Sequence, residues 1–97
     1  MDIRTLRGMA HHLDPIVAIG ENGATDNAVR ELDRALTDHE LVKVRLHMDD
    51  RAARRTVIED LRERSGATVV QRIGKVVVLY RANPEARPAL SNVARYL

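Results

Sequence analysis

Apolar positions along this chain switch repeatedly between a helical and a strand period, and the switches predict seven elements. Ile3, Leu6, Ala10 and Leu13 recur at helical spacing after Asp2, whose carboxylate suits an N-cap. Pro15 ends that first helix, because the residue before a proline avoids helical geometry. Ile16, Val17, Ala18 and Ile19 form an almost wholly apolar run, which predicts a short strand covered on both faces. A second helix, capped by Thr25 or Asp26, runs to about residue 38. It buries Ala28, Val29, Leu32, Ala35 and Leu36 and turns an acidic face outward.

His39-Glu40 then turns the chain into Leu41–His47, which alternates strictly. Val42, Val44 and Leu46 face one way, and Leu41, Lys43, Arg45 and His47 the other, as in a half-buried strand with a basic second face. Asp49 or Asp50 caps a third helix with Ala53, Val57, Ile58 and Leu61 inward and Arg51, Arg54, Arg55, Arg62 and Arg64 largely outward. Gly66 stands where a helix end favours a residue free to take positive φ. Strands over Thr68–Ile73 and Val76–Arg81 follow, joined by a tight hairpin at Gly74-Lys75. Pro84 and Pro88 break the pattern, so residues 84–97 are expected to be a flexible tail, with one helical turn near Val93, behind a domain spanning 1–83. The order α-β-α-β-α-β-β predicts a two-layer α/β fold with a mixed four-stranded sheet. Helical connections imply parallel neighbours, and the final hairpin adds an antiparallel strand.

The absence of cysteine excludes disulfides, thiol catalysis and cysteine-bound metal. No apolar run approaches the length of a membrane span or a signal-peptide core, so a cytoplasmic protein with no membrane partner is expected. A formal charge of +2 conceals polarity along the chain. Residues 21–40 hold six acids against two arginines (−4), and residues 41–81 hold ten basic residues against five acids (+5). Fourteen of the sixteen basic residues are arginine, whose planar fork suits bidentate phosphate contacts. Tyr80 and Tyr96 are the only aromatic residues, too few to stack a row of bases, so any nucleic acid would be recognised through backbone and shape. His11, His12, His39 and His47 lack metal-ligand spacing, Ser65 and Ser91 have no evident base, and Asp49-Asp50 is explained by capping. Neither catalysis, nor a metal, nor a cofactor is expected.

Two constellations remain. Gly20-Glu21-Asn22-Gly23-Ala24-Thr25 is a Gly-x-x-Gly loop between a strand and a helix. It reads either as a plain turn or as a phosphate cradle, with backbone approach at the glycines and the helix dipole behind them. Glu21 opposes the second reading, unless its carboxylate turns away or reaches the helix cap. Arg4, Arg7 and His11 on the first helix, with Lys43, Arg45, Arg72, Lys75 and Arg81 on strands, could track a phosphate backbone or simply be solvated charge. For the third-helix arginines, pairing with Asp50, Glu59, Asp60 or Glu63 is the preferred reading.

Four segments in register resemble the CRM domain, named for chloroplast RNA splicing and ribosome maturation. They are Leu6-Arg7-Gly8-Met9-Ala10-His11, Val17 to Thr25 through the glycine loop, His39-Glu40-Leu41-Val42-Lys43-Val44, and Gly74-Lys75 to Arg81. The match covers about residues 3–82, and the chain is similar to the free-standing bacterial, YhbY-like form. That resemblance implies a fold similar to the C-terminal domain of translation initiation factor three. It also implies a non-catalytic RNA-binding protein on precursors of the large ribosomal subunit, with ribosomal RNA and pre-ribosomal proteins as partners. Carried over by position, Gly20, Asn22, Gly23 and Thr25 match the loop and helix start, Arg7 and His11 the first helix, Lys43 the second strand, and Lys75 and Arg81 the hairpin. Glu21 departs from the lysine frequent in relatives. The alternative is a protein-interaction module using the basic sheet face.

Overall fold

The structure, a computed structural model, describes residues 1–94, so Tyr96 lies outside the described residues. The seven elements are α1 (Ile3–Ala10), β1 (Val17–Ile19), α2 (Asp26–His39), β2 (Leu41–Leu46), α3 (Arg51–Ser65), β3 (Thr68–Ile73) and β4 (Val76–Tyr80). Local chemistry sets their ends. The Asp2 carboxylate accepts from the Thr5 amide at 2.8 Å, Thr25 Oγ1 from Ala28 at 3.1 Å, and Asp50 from Ala52 and Ala53. Gly66 closes α3 in the left-handed region at φ +72°. Glu40 ends α2 at a positive φ of 61° with ψ −48°, outside the left-handed helical region that Gly66 adopts.

The sheet is mixed, in the order β1-β2-β4-β3. β1 runs parallel to β2, and β4 enters between β2 and β3, antiparallel to both. Val42, Val44, Leu46, Val77 and Leu79 pack with Leu32, Leu36, Ile58 and Leu61, so α2 and α3 cover one face as the second layer. Leu41, Val70 and Val78 look the other way and meet Leu6 and Ala10, so α1 covers part of the reverse face. Each of the fully buried leucines contributes about 1.5–3 kcal/mol by leaving water.

Three features depart from the patterning. β1 is an edge strand, and α1 stops short of it. Val17 and Ile19 are buried while Ala18 and Ile16 are exposed, so one face is covered and not both. β3 carries a bulge at Val70. Val69 pairs with Leu79, but Gln71 and Arg72 pair with Val78 and Val77. The extra residue reverses the faces of everything after it. Finally, the segment that Pro84 and Pro88 suggest is flexible makes specific contacts. Glu40 accepts from Ser91 Oγ and from the Asn83 amide, both at 2.7 Å, the Asn92 amide reaches His39 O at 2.9 Å, and Val93 is buried beside α1.

Candidate nucleic-acid interface

Lys43 and Arg45 stand opposite Val78 and Val76, on the face of the sheet that α1 covers only in part. Down β2 they form a graded row. The Ile16 amide bonds Lys43 O at 3.1 Å, Ala18 is level with Arg45, and the glycine loop begins two residues beyond Ala18. Successive positions on one face of a strand lie about 7 Å apart, so Lys43 and Arg45 step from Leu41, which packs with Leu6 of α1, toward the loop's end of the sheet. Arg4, Arg7 and His11 are exposed on α1, with Arg7 Nε held to Val70 O at 3.0 Å. Ile16 (51% exposed) and Ile73 (61%) flank the same open face. No Lys43 or Arg45 ion pair exists among the described residues.

The loop divides into two halves with different jobs. Gly23 is buried at φ +71°, and a Cβ there would lie 3.1 Å from Val57 Cγ2. Its amide bonds Gly20 O at 3.0 Å and its carbonyl accepts from Thr25 at 2.9 Å. Gly23 therefore serves the turn and the packing against α3. Gly20 has open space around it, and Glu21 and Asn22 are exposed without a hydrogen-bond partner among the described residues. Glu21 thus does not reach the helix cap; Thr25 fills that place. Arg64 Nη1 donates to Ala24 O at 2.7 Å and Nη2 to Asp26 Oδ1 at 2.6 Å, stapling the loop to the end of α3. That hydrogen bond and the guanidinium charge hold the Asp26 carboxyl below its usual value.

The other candidates separate. Lys75, at the hairpin tip, shares the loop's end of the sheet, because its carbonyl accepts from Leu46 at 2.7 Å and His47 bonds Ile19 O at 2.8 Å. Its ammonium is paired with Asp49 and holds that carboxyl down. Arg81 lies about 17 Å away along the sheet, five residues beyond Val76. It is committed inside the domain, pairing with Asp33 and donating to Ser65 O at 2.9 Å and Thr37 Oγ1 at 3.0 Å. Arg72 does not share the face of Lys43 and Arg45: the bulge turns it toward α3. Of the third-helix arginines, Arg62 pairs with Glu59 as its spacing suggests, Arg64 holds the loop, and Arg54 donates to Met48 O at 3.1 Å and Asp49 O at 2.6 Å. Arg51 and Arg55 have no partner among the described residues. The patterning could not reveal the Arg64 contact, which spans 38 residues to Asp26, or the bulge, which leaves no mark on composition. Among the described residues no three of His, Asp and Glu converge as metal ligands, and no helix is long and apolar enough to cross a membrane.

Comparison with known proteins agrees with this architecture. The model of the CRS1 / YhbY (CRM) domain matches residues 1–81. The chain is 41% identical over 93 residues to a probable RNA-binding protein of Pseudomonas aeruginosa, covering 96% of this chain and 89% of that one. It is 42% identical over 82 residues to an RNA-binding protein of Haemophilus influenzae, covering 84% and 83%. The solution structure of a hypothetical protein from Staphylococcus aureus superposes with a TM-score of 0.77 at 34% identity, covering 88% of each chain.

Proposed function

Since the chain belongs to the CRS1 / YhbY (CRM) domain family, we propose that it is a non-catalytic RNA-binding protein acting on ribosomal RNA in precursors of the large ribosomal subunit. The observation that carries this reading is that Lys43 and Arg45, without anionic partners among the described residues, lie on the sheet face that α1 only partly covers and lead to the exposed half of the glycine loop. A phosphate backbone laid along that row meets Arg4, Arg7 and His11 first, then two strand cations without anionic partners. It ends where the open surroundings of Gly20 admit close main-chain approach. Recognition is by backbone and shape, because the tyrosine on this face, Tyr80, is partly buried against the Leu6 and Leu41 cluster, and one ring cannot stack a row of bases. The large-subunit assignment rests on the resemblance to free-standing bacterial members, and a cytoplasmic location goes with it.

The test is Gly20→Leu, whose Cβ meets no atom of the domain within 4 Å and whose side chain fills the approach to the loop. Retention of a structured RNA hairpin should fall at least several-fold while circular dichroism is unchanged. Undiminished retention would remove the loop from the interface. Crosslinking in cells, followed by sequencing of the attached RNA, tests the ribosomal target; crosslinks scattered without enrichment in large-subunit RNA would refute it. The second reading, a protein-interaction module, draws on Ile16 and Ile73 at the rim of the basic face. It predicts that the basic sheet face meets an acidic protein while RNA is not retained, whereas phosphate contacts predict RNA binding with a linear log–log decline in salt.

A further inference from the structure

On the face opposite the basic row, Arg51, Arg54, Arg55 and Arg72 line a groove of about 330 Å³ with Ile58 and Gly74. The volume falls at the lower end of small-ligand sites, about 300–1,000 Å³. Three elements build it: the first turns of α3 supply Arg51, Arg54 and Arg55, the hairpin supplies Gly74, and the bulge in β3 turns Arg72 inward. Arg54 is anchored by its bonds to Met48 O and Asp49 O, which fixes one wall.

The neighbouring carboxylates are already engaged. Asp49 pairs with Lys75, Asp50 caps α3 through the Ala52 and Ala53 amides, and Glu59 pairs with Arg62. Glu59 is also near enough for the Arg72 charge to help depress its carboxyl. Arg51, Arg55 and Arg72 form no hydrogen bond or ion pair among the described residues. Arg51 and Arg55, gathered without an acid of their own beside Arg54 and Arg72, are repelled by their neighbours until an external anion enters. Planar forks favour oxygens that accept two parallel bonds, as phosphate does. Ile58 offers an apolar patch in the groove for a sugar or base edge.

We propose that this groove holds a second stretch of RNA backbone, so that one domain grips two RNA segments on opposite faces of its sheet and bridges them. The proposal rests on the RNA-binding reading above and extends it from one face to two. A chain that tethers two helices to each other differs in its work from one that merely coats a single strand.

Two RNA hairpins, one carrying a donor fluorophore and one an acceptor, test this with the full chain. The wild-type protein should bring them together, with energy transfer maximal near one protein per two hairpins. R51Q/R55Q should bind a single hairpin within about threefold of wild type, with the single-hairpin salt slope unchanged, yet lose the transfer. Transfer that persists in R51Q/R55Q overturns the proposal, as does wild-type binding without transfer. A poly-glutamate peptide that binds wild type as tightly as RNA, and R51Q/R55Q not at all, overturns it in favour of an acidic protein partner. Failure of the wild-type chain to bind either hairpin would sink the RNA reading itself, and bridging with it.

Discussion

Gly23 and Val57 touch so closely that a Cβ on the glycine would stand 3.1 Å from Val57 Cγ2. The second glycine of the loop is thus a packing element for α3, and the first is the accessible one. Gly23→Ala should cost roughly 1–3 kcal/mol, from positive φ and the tight contact together. Gly20→Ala should stay within about 0.5 kcal/mol, as open surface positions do. Urea denaturation of the two variants measures the contrast, and equal losses would contradict it.

The row on β2 makes a prediction about salt. Lys43→Gln and Arg45→Gln should each weaken binding of an RNA hairpin and lower the salt slope by about 1. Arg81→Gln should leave the slope alone but destabilise the domain by about 1–2 kcal/mol, since Ser65 O and Thr37 lose their donor. Filter binding over a range of potassium concentrations, beside thermal melts, distinguishes the two behaviours.

Stability should depend on pH in a definite direction. In the folded protein, hydrogen bonding to arginine or lysine and the adjacent charge hold Asp26, Asp49 and Glu59 below their usual values, and the Thr5 amide does the same for Asp2. The folded groups release their protons more readily than the unfolded ones. Their contribution is therefore present above the unfolded value, 3.8 for aspartate, and is lost as pH falls through the lower folded value. Asp26→Asn should melt below wild type at pH 7, and the two should converge under acid. A difference that widened as pH fell would have the wrong sign.

Ser91→Ala should release the segment beyond Asn83, because the Glu40 carboxylate loses the hydroxyl at 2.7 Å and the Val93 and Ala94 amides lose their acceptor. A cost of about 1–3 kcal/mol is expected for the stranded buried groups. Protease cleavage after Arg87 should quicken in the variant. Unchanged cleavage would mean that Val93 packing holds the segment alone.

What could be read from the chain was what depends on near neighbours. The caps at Asp2, Thr25 and Asp50 and the stop at Gly66 follow from residues within one helical turn, and the seven elements follow from periodicity. Contacts that close over long intervals left no such trace. Arg64 gives no local sign that it reaches Ala24, and Arg81 in a basic strand looks the same whether it meets solvent or Asp33. β1 read as fully covered because composition reports apolarity but not position at a sheet edge. The candidate interface was half legible: Lys43 and Arg45 follow from alternation on an unbroken strand, and Arg72 fails on a broken one.

The Val70 bulge makes the sidedness of this protein a question of parity. Had the same residues paired one for one, Val70 would stand opposite Val78 and Arg72 opposite Val76, level with Arg45, leaving the groove by α3 one guanidinium poorer. The single unpaired residue sets which flank of the sheet receives the arginine.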